Sequence, residues 1–141
     1  DPGTIIGIFC DHGRFQRVRI IAGKHRLASI TAIMDRNNIQ IDGYTEDIMP
    51  LEPLRQKYEA FNWHVIDIYG NNIRAIIDAC NEAKAIVEKP VAIIAHTVPG
   101  KGVDFMEYRY EWHGKPPNAA EAKEALHELR TLGGNIHSEH Q

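Results

Sequence analysis

Apolar positions along the chain alternate between two kinds of run. Thr4-Ile5-Ile6-Gly7-Ile8-Phe9-Cys10, Ser29-Ile30-Thr31-Ala32-Ile33-Met34 and Pro90-Val91-Ala92-Ile93-Ile94-Ala95 are short, β-branched and apolar on successive residues. That is the pattern of strands buried on both faces of a parallel sheet. Trp63-His64-Val65-Ile66-Asp67-Ile68-Tyr69 alternates well enough for a further strand. Between these runs the spacing turns helical. Leu51, Leu54, Tyr58 and Phe61 follow at i, i+3, i+7 and i+10, so 50–61 reads as an amphipathic helix with Pro53 in its first turn. Ile73, Ile76, Ile77, Cys80 and Ala83 read as a second helix, capped by Asn72. Arg14 to Arg26, with Val18, Ile20, Ile21 and Leu27, reads as a third, of imperfect period. A charged helix over 119–132 ends at Gly133-Gly134, and 133–141 reads as a frayed tail.

Strands alternating with helices define an α/β class with a mostly parallel sheet flanked by helices. Nothing precedes the first strand to flank it, so the chain is expected to be an incomplete domain that starts inside a larger fold. The length of 141 residues suits one such domain, and 43% apolar with 25% charged residues is an ordinary globular composition. A formal charge of −3 gives no basis for nucleic-acid binding. No apolar run approaches the roughly 20 residues that span a bilayer, and Asp1-Pro2-Gly3-Thr4 is unlike a signal peptide. A cytoplasmic location is the expectation. Cys10 and Cys80 form neither a disulfide framework nor a zinc spacing, and both are expected to be buried, reduced thiols. There is no internal repeat and no low-complexity tract.

In open parallel sheets, ligands bind beyond the carboxyl ends of the strands. Two segments in that position carry chemistry. Loop 35–43 offers Asp35, Asn37, Asn38 and Asp42 together with backbone carbonyls, all hard oxygen donors suited to a cation such as Mg²⁺. Asn-Asn and Asp-Gly are equally turn-forming pairs, and composition alone leaves both readings open. Segment 96–118 holds Pro99-Gly100-Lys101-Gly102, too short for a full phosphate-binding loop, and Glu111-Trp112-His113-Gly114. A loop His such as His113 serves acid–base chemistry near neutral pH, or is simply solvated.

In this order the segments become specific. Asp35-Arg36-Asn37-Asn38-Ile39-Gln40-Ile41-Asp42-Gly43 resembles the D-x-N-x-I-x-I-D-G stretch of transketolases. Ala95-His96-Thr97-Val98-Pro99-Gly100-Lys101-Gly102-Val103 and Phe105-Met106-Glu107 through Tyr110-Glu111-Trp112-His113-Gly114-Lys115-Pro116-Pro117-Asn118 resemble later words of the same family. They resemble above all the N-terminal subunit of transketolases split into two chains. The resemblance runs from about Leu27 to Arg130.

That resemblance implies a domain that holds the diphosphate of thiamine diphosphate through Mg²⁺. It assigns the Asn37 side-chain oxygen and the Ile39 carbonyl to the metal, Ile41 to packing against the cofactor, and His113 to facing cofactor and substrate hydroxyls. The implied reaction moves a two-carbon ketol unit from a ketose phosphate to an aldose phosphate. The pyrimidine-binding domain of the family has no counterpart in this chain, so a C-terminal transketolase subunit is the expected partner, in a dimer of heterodimers, and the chain alone is expected to be inactive. The family's Gly-Asp-Gly, whose Asp is the third metal ligand, is replaced by Cys10-Asp11-His12-Gly13. Asp11 stands as the candidate ligand; alternatively His12-Gly13 matches a later Glu-Gly of the family and the metal Asp is missing altogether. His12 in place of a glycine crowds the approach to a diphosphate, so weakened cofactor binding is expected. A non-catalytic remnant that folds without cofactor, and a related thiamine enzyme such as deoxyxylulose-phosphate synthase, are the other readings. Ile39-Gln40-Ile41-Asp42-Gly43 and Trp112-His113-Gly114 favour transketolase over the synthase.

Overall fold

The computed structural model describes residues 5–8 and 16–131. Cys10, Asp11, His12 and Gly13, the Gly133-Gly134 stop and the 133–141 tail lie outside the described residues. In chain order the elements are β1 (Ile5–Ile8), α1 (Gln16–Lys24), β2 (Ile30–Arg36), β3 (Ile39–Gln40), β4 (Gly43–Tyr44), α2 (Thr45–Ile48), α3 (Leu54–Ala60), β5 (His64–Tyr69), α4 (Ile73–Ala85), β6 (Val91–His96), a 3-10 turn (Tyr110–Trp112) and α5 (Ala119–Thr131). β1, β2, β6 and β5 form one sheet in that order, and every pairing in it is parallel. The chain divides into two compact units, one of Asp1–Arg36 with Leu51–Thr97 and one of Asn37–Pro50 with Val98–Gln141.

The first unit carries the sheet. Alternate residues of each strand point to opposite faces, and the buried residues sort accordingly. Ala32, Met34, Val65, Ala92 and Ile94 pack with Ala22 of α1 and with Leu54 and Tyr58 of α3. Val91, Ile93 and Ile66 pack with Ala79 and Ala83 of α4 on the other side. β6 is fully enclosed from Val91 to Ala95, as its unbroken apolar run implied. Tyr58 stands edge-on to Trp63 at 5.6 Å, and the Trp63 indole N–H donates to the Arg19 carbonyl at 2.9 Å, tying α1 to the start of β5.

Several expectations shift. The strand after α1 runs on through Asp35 and Arg36, which pair in register with Ala95 and His96, so these two residues are strand and not loop. The helix expected over 50–61 starts only at Leu54, with Pro53 as its N-cap and a cis Glu52–Pro53 peptide before it. Pro53 has no side chain that can cap, and the Glu52 carboxylate accepts from the Leu54 N–H at 2.8 Å instead. Asn72 does cap α4, its Oδ1 accepting from the N–H groups of Arg74 and Ala75. On α4 the apolar set divides: Ile73 is 73% and Ile77 49% exposed, while Cys80 and Ala83 of the same set, with Ala79, pack toward the sheet. Val18, Ile20, Ile21 and Leu27 are exposed in the same way. Cys80 is half-buried against the α4 cluster, less enclosed than expected, and is a free thiol.

Candidate functional site

β2 and β6 are far apart in sequence but end side by side, Arg36 opposite His96. The chain leaves the sheet unit immediately after each: at Asn37 it enters the 37–50 stretch, and after Thr97 the 98–118 stretch. Three polar ties hold these carboxyl ends. Thr97 Oγ1 donates to Asp35 Oδ1, and the Thr97 N–H donates to the Arg36 carbonyl at 3.3 Å. The Arg36 guanidinium, 5% exposed, donates through Nε and Nη2 to Glu52 Oε1 at 3.2 and 3.1 Å. Glu52 is held below the ordinary carboxylate range, first by the Leu54 N–H and then by Arg36, against a partial desolvation that pushes it up. On the β5 side, His96 Nε2 lies 3.1 Å from Asp67 Oδ1, and Asp67 also takes a charge-assisted bond from Arg55.

The second unit opens with the oxygen-rich stretch, which is folded into a tight hairpin. Asn37 Oδ1 accepts the Ile39 N–H at 3.1 Å, an Asx turn that fixes the side-chain oxygen. Asn38 takes the left-handed conformation (φ 64°) that Asn tolerates, and its carbonyl accepts from the Thr45 N–H at 2.9 Å. Ile39 then pairs with Tyr44 and Gln40 with Gly43, leaving Ile41-Asp42 as the tip. Ile39 is buried; Ile41, at the tip, is 75% exposed. The turn-forming reading of Asn-Asn and Asp-Gly is therefore correct.

In the 98–118 stretch the Gly-Lys-Gly is shaped by contacts of its own. The Gly102 N–H donates to Glu107 Oε1 at 2.9 Å, and Gly100, at φ 73°, has no room for a Cβ, which would stand 2.7 Å from the Met106 backbone. These glycines close a compact loop. Trp112 packs edge-on to Phe105, donates to the Phe105 carbonyl at 3.0 Å and takes Lys115 Nζ over its ring at 4.2 Å. That anchors the 3-10 turn, and His113 follows it as an exposed C-cap residue. The hairpin and this turn meet directly: the Tyr44 and Tyr110 rings are 5.5 Å apart at 77°. Tyr44 is the strand partner of Ile39, and Tyr110 lies three residues before His113.

Asn37, Ile39, Ile41 and His113 thus belong to one compact unit, joined by a contact that residue patterns did not reveal, since Tyr44 and Tyr110 carry no motif chemistry. Asp35 is the penultimate residue of β2, Asp42 is exposed at the hairpin tip, and Asp11 lies outside the described residues. Among the described residues there is no group of three His, Cys, Asp or Glu side chains able to hold a metal. A cation here would take an amide oxygen and a backbone carbonyl. Those are hard donors of the kind Mg²⁺ shares with phosphate oxygens, so the residues fit that ion and suit neither zinc nor copper.

The sheet unit is an open, all-parallel sheet flanked by helices, an α/β class that takes ligands at the carboxyl ends of its strands. Residues 10–136 match the family described as transketolase, thiamine diphosphate binding domain, and the chain belongs to that family. It is 39% identical over 136 residues to the 6-deoxy-6-sulfo-D-fructose transketolase subunit SqwG of Clostridium sp. (strain MSTE9), covering 94% of this chain and 50% of that protein. It is 35% identical over 117 residues to one subunit of the apulose-4-phosphate transketolase of Phocaeicola vulgatus, covering 83% of this chain and 42% of that one. The chain therefore spans about half, or less, of the length of these relatives. Among solved structures, transketolase from Campylobacter jejuni superposes with a TM-score of 0.82 at 29% identity, over 90% of this chain and 20% of that chain. No helix among the described residues is long and apolar enough to cross a membrane.

Proposed function

We propose that this chain is the diphosphate-side part of a two-subunit transketolase that works in the cytoplasm, binding thiamine diphosphate through Mg²⁺. The observation that carries the reading is the Asn37 turn. It fixes the amide oxygen at the start of a hairpin whose Ile39 is joined, through Tyr44 and Tyr110, to the turn that bears His113. Asn37 Oδ1 and the Ile39 carbonyl hold the metal, with Asp11 as third protein ligand. Ile41, exposed at the tip, gives the cofactor an apolar contact. His113 hydrogen-bonds substrate hydroxyls and accepts or returns a proton at its imidazole. When bound, thiamine diphosphate supplies the carbanion chemistry of the ketol transfer. The metal neutralises the diphosphate, so that hydroxyl-bearing substrates meet a charge-balanced site.

The reaction is transfer of a two-carbon ketol unit from a ketose phosphate to an aldose phosphate. The aminopyrimidine side of the cofactor falls to a C-terminal partner subunit, two such pairs forming a dimer of heterodimers. Relatives that are themselves named as transketolase subunits support a partner chain. The test is a transfer assay of the chain with its partner subunit. Xylulose 5-phosphate with ribose 5-phosphate is compared with pyruvate plus glyceraldehyde 3-phosphate. Turnover of the first pair alone supports a transketolase. Turnover of the second identifies a synthase, and no turnover of either, with no cofactor bound, identifies a remnant.

A further inference from the structure

The carboxyl ends of three strands converge on one side chain that takes no part in the proposed metal site. Thr97 follows β6. Its hydroxyl donates to Asp35 Oδ1 at the end of β2, and its N–H donates to the Arg36 carbonyl at 3.3 Å. Its methyl faces β5: a Cβ built on Gly70 would stand 2.5 Å from Thr97 Cγ2 and 3.0 Å from the Ala95 Cβ. Gly70 is itself pinned, its N–H donating to the His96 carbonyl at 2.7 Å. A threonine has one strongly restricted side-chain torsion. With the methyl seated on the Cβ-less face of Gly70, the hydroxyl is turned to Asp35. Arg36 is the last residue of β2, and Asn37 is next in the chain.

We propose that Thr97 is a positioning residue for the metal-binding hairpin. Its hydroxyl and amide fix the carboxyl end of β2 from which Asn37 departs, and Gly70, lacking a Cβ, leaves room for the rotamer that does so. The inference rests on the metal reading of Asn37 and Ile39. Partners that orient a ligand's support normally change metal affinity about 10–100-fold when removed. Here the hydroxyl acts two residues before the ligand and the amide one residue before it, so the lower end applies.

Shape separates the two parts of Thr97. Valine keeps the methyl and puts a second methyl in place of the hydroxyl donor; serine keeps the donor and loses the methyl that meets Gly70. Two readouts are taken on the chain with its partner subunit. One is amide hydrogen exchange over residues 37–44 without cofactor; the other is the Mg²⁺ half-saturation at saturating thiamine diphosphate. Thr97→Val is expected to speed exchange at 37–44 about tenfold, leave exchange in α4 unchanged and raise the half-saturation about tenfold, with Thr97→Ser near wild type. Gly70→Ala is expected to reproduce the Val effect and to be rescued in part by Thr97→Ser, which removes the clashing methyl. Unchanged exchange at 37–44 in Thr97→Val overturns the proposal. So does a uniform acceleration across the whole chain, which marks a merely structural role. If wild type shows no Mg²⁺-dependent binding while Thr97→Val still loosens 37–44 alone, the metal reading of Asn37 fails and the control of the hairpin by Thr97 stands.

Discussion

Gly23 sits inside α1, where helix propensity alone favours alanine by about 1 kcal/mol. Gly23→Ala is nonetheless expected to destabilise the protein. A Cβ at this position would stand 1.7 Å from the Phe61 carbonyl oxygen and 2.9 Å from the Phe61 carbonyl carbon. An ordinary carbon–oxygen contact is roughly 3.3 Å or more, so the overlap is on the order of 1.6 Å. Phe61 has little room to retreat. It caps α3, its N–H bonds the Tyr58 carbonyl at 3.0 Å, and the Trp63 N–H bonds the same carbonyl at 3.2 Å across a left-handed Asn62. Displacing it moves Trp63, and with it the indole bond to Arg19 and the edge contact to Tyr58. Overpacking costs about 1–3 kcal/mol when neighbours can adjust and more when they are backbone. Setting roughly 3 kcal/mol against the propensity gain of about 1 leaves a net loss of about 2 kcal/mol. Urea unfolding followed by tryptophan fluorescence measures it, with Lys24→Ala, exposed on the same helix, as a control expected to lie within about 0.5 kcal/mol of wild type. A Gly23→Ala protein as stable as wild type, or more stable, would refute the close approach of α1 to the α3 terminus.

Other changes test other joints. Glu52 has a depressed pKa in the folded state, set first by the Leu54 N–H and then by Arg36. Its contribution is therefore complete above its ordinary value of 4.5 and lost as pH falls through the lower folded value. Glu52→Gln is expected to cost about 1 kcal/mol at pH 7, a modest amount because Glu52 is 53% exposed, and the gap to wild type should close in urea titrations below pH 4.5. Tyr108 is exposed and left-handed at φ 58°, so Tyr108→Gly should stabilise by up to about 1 kcal/mol in the same assay. His113→Ala should lower kcat about hundredfold while leaving thiamine diphosphate affinity within a few-fold, read from steady-state kinetics beside a binding titration.

The parallel sheet was legible because β2 and β6 carry unbroken β-branched runs, and only burial on both faces explains such runs in a chain with ordinary polarity elsewhere. Asn72 was legible because a cap is a local hydrogen bond to the next turn. What escaped depended on partners distant in sequence. Asp35 and Arg36 look like loop residues until β6 pairs with them. The start of α3 depends on a Glu52 carboxylate that Arg36 holds. On α4 the apolar period was correct and Cys80 and Ala83 meet the sheet side, but Ile73 and Ile77 stay exposed, because the contact centres on Ala79 and Ala83. At the site, the motif residues Asn37, Ile39 and His113 stood out by type and order. The contact that joins their segments did not, since Tyr44 and Tyr110 are ordinary aromatics whose meeting is a product of the fold.

The Asn37 hairpin as the holder of a metal-bound diphosphate is the central claim. Calorimetric titration of thiamine diphosphate into the chain with its partner subunit, with Mg²⁺ and again with EDTA, tests it most directly. Binding is expected with Mg²⁺ and lost with EDTA, and Asn37→Ala should raise the Kd about 100-fold or more. Binding of equal strength without metal, or an Asn37→Ala protein that binds like wild type, would contradict it.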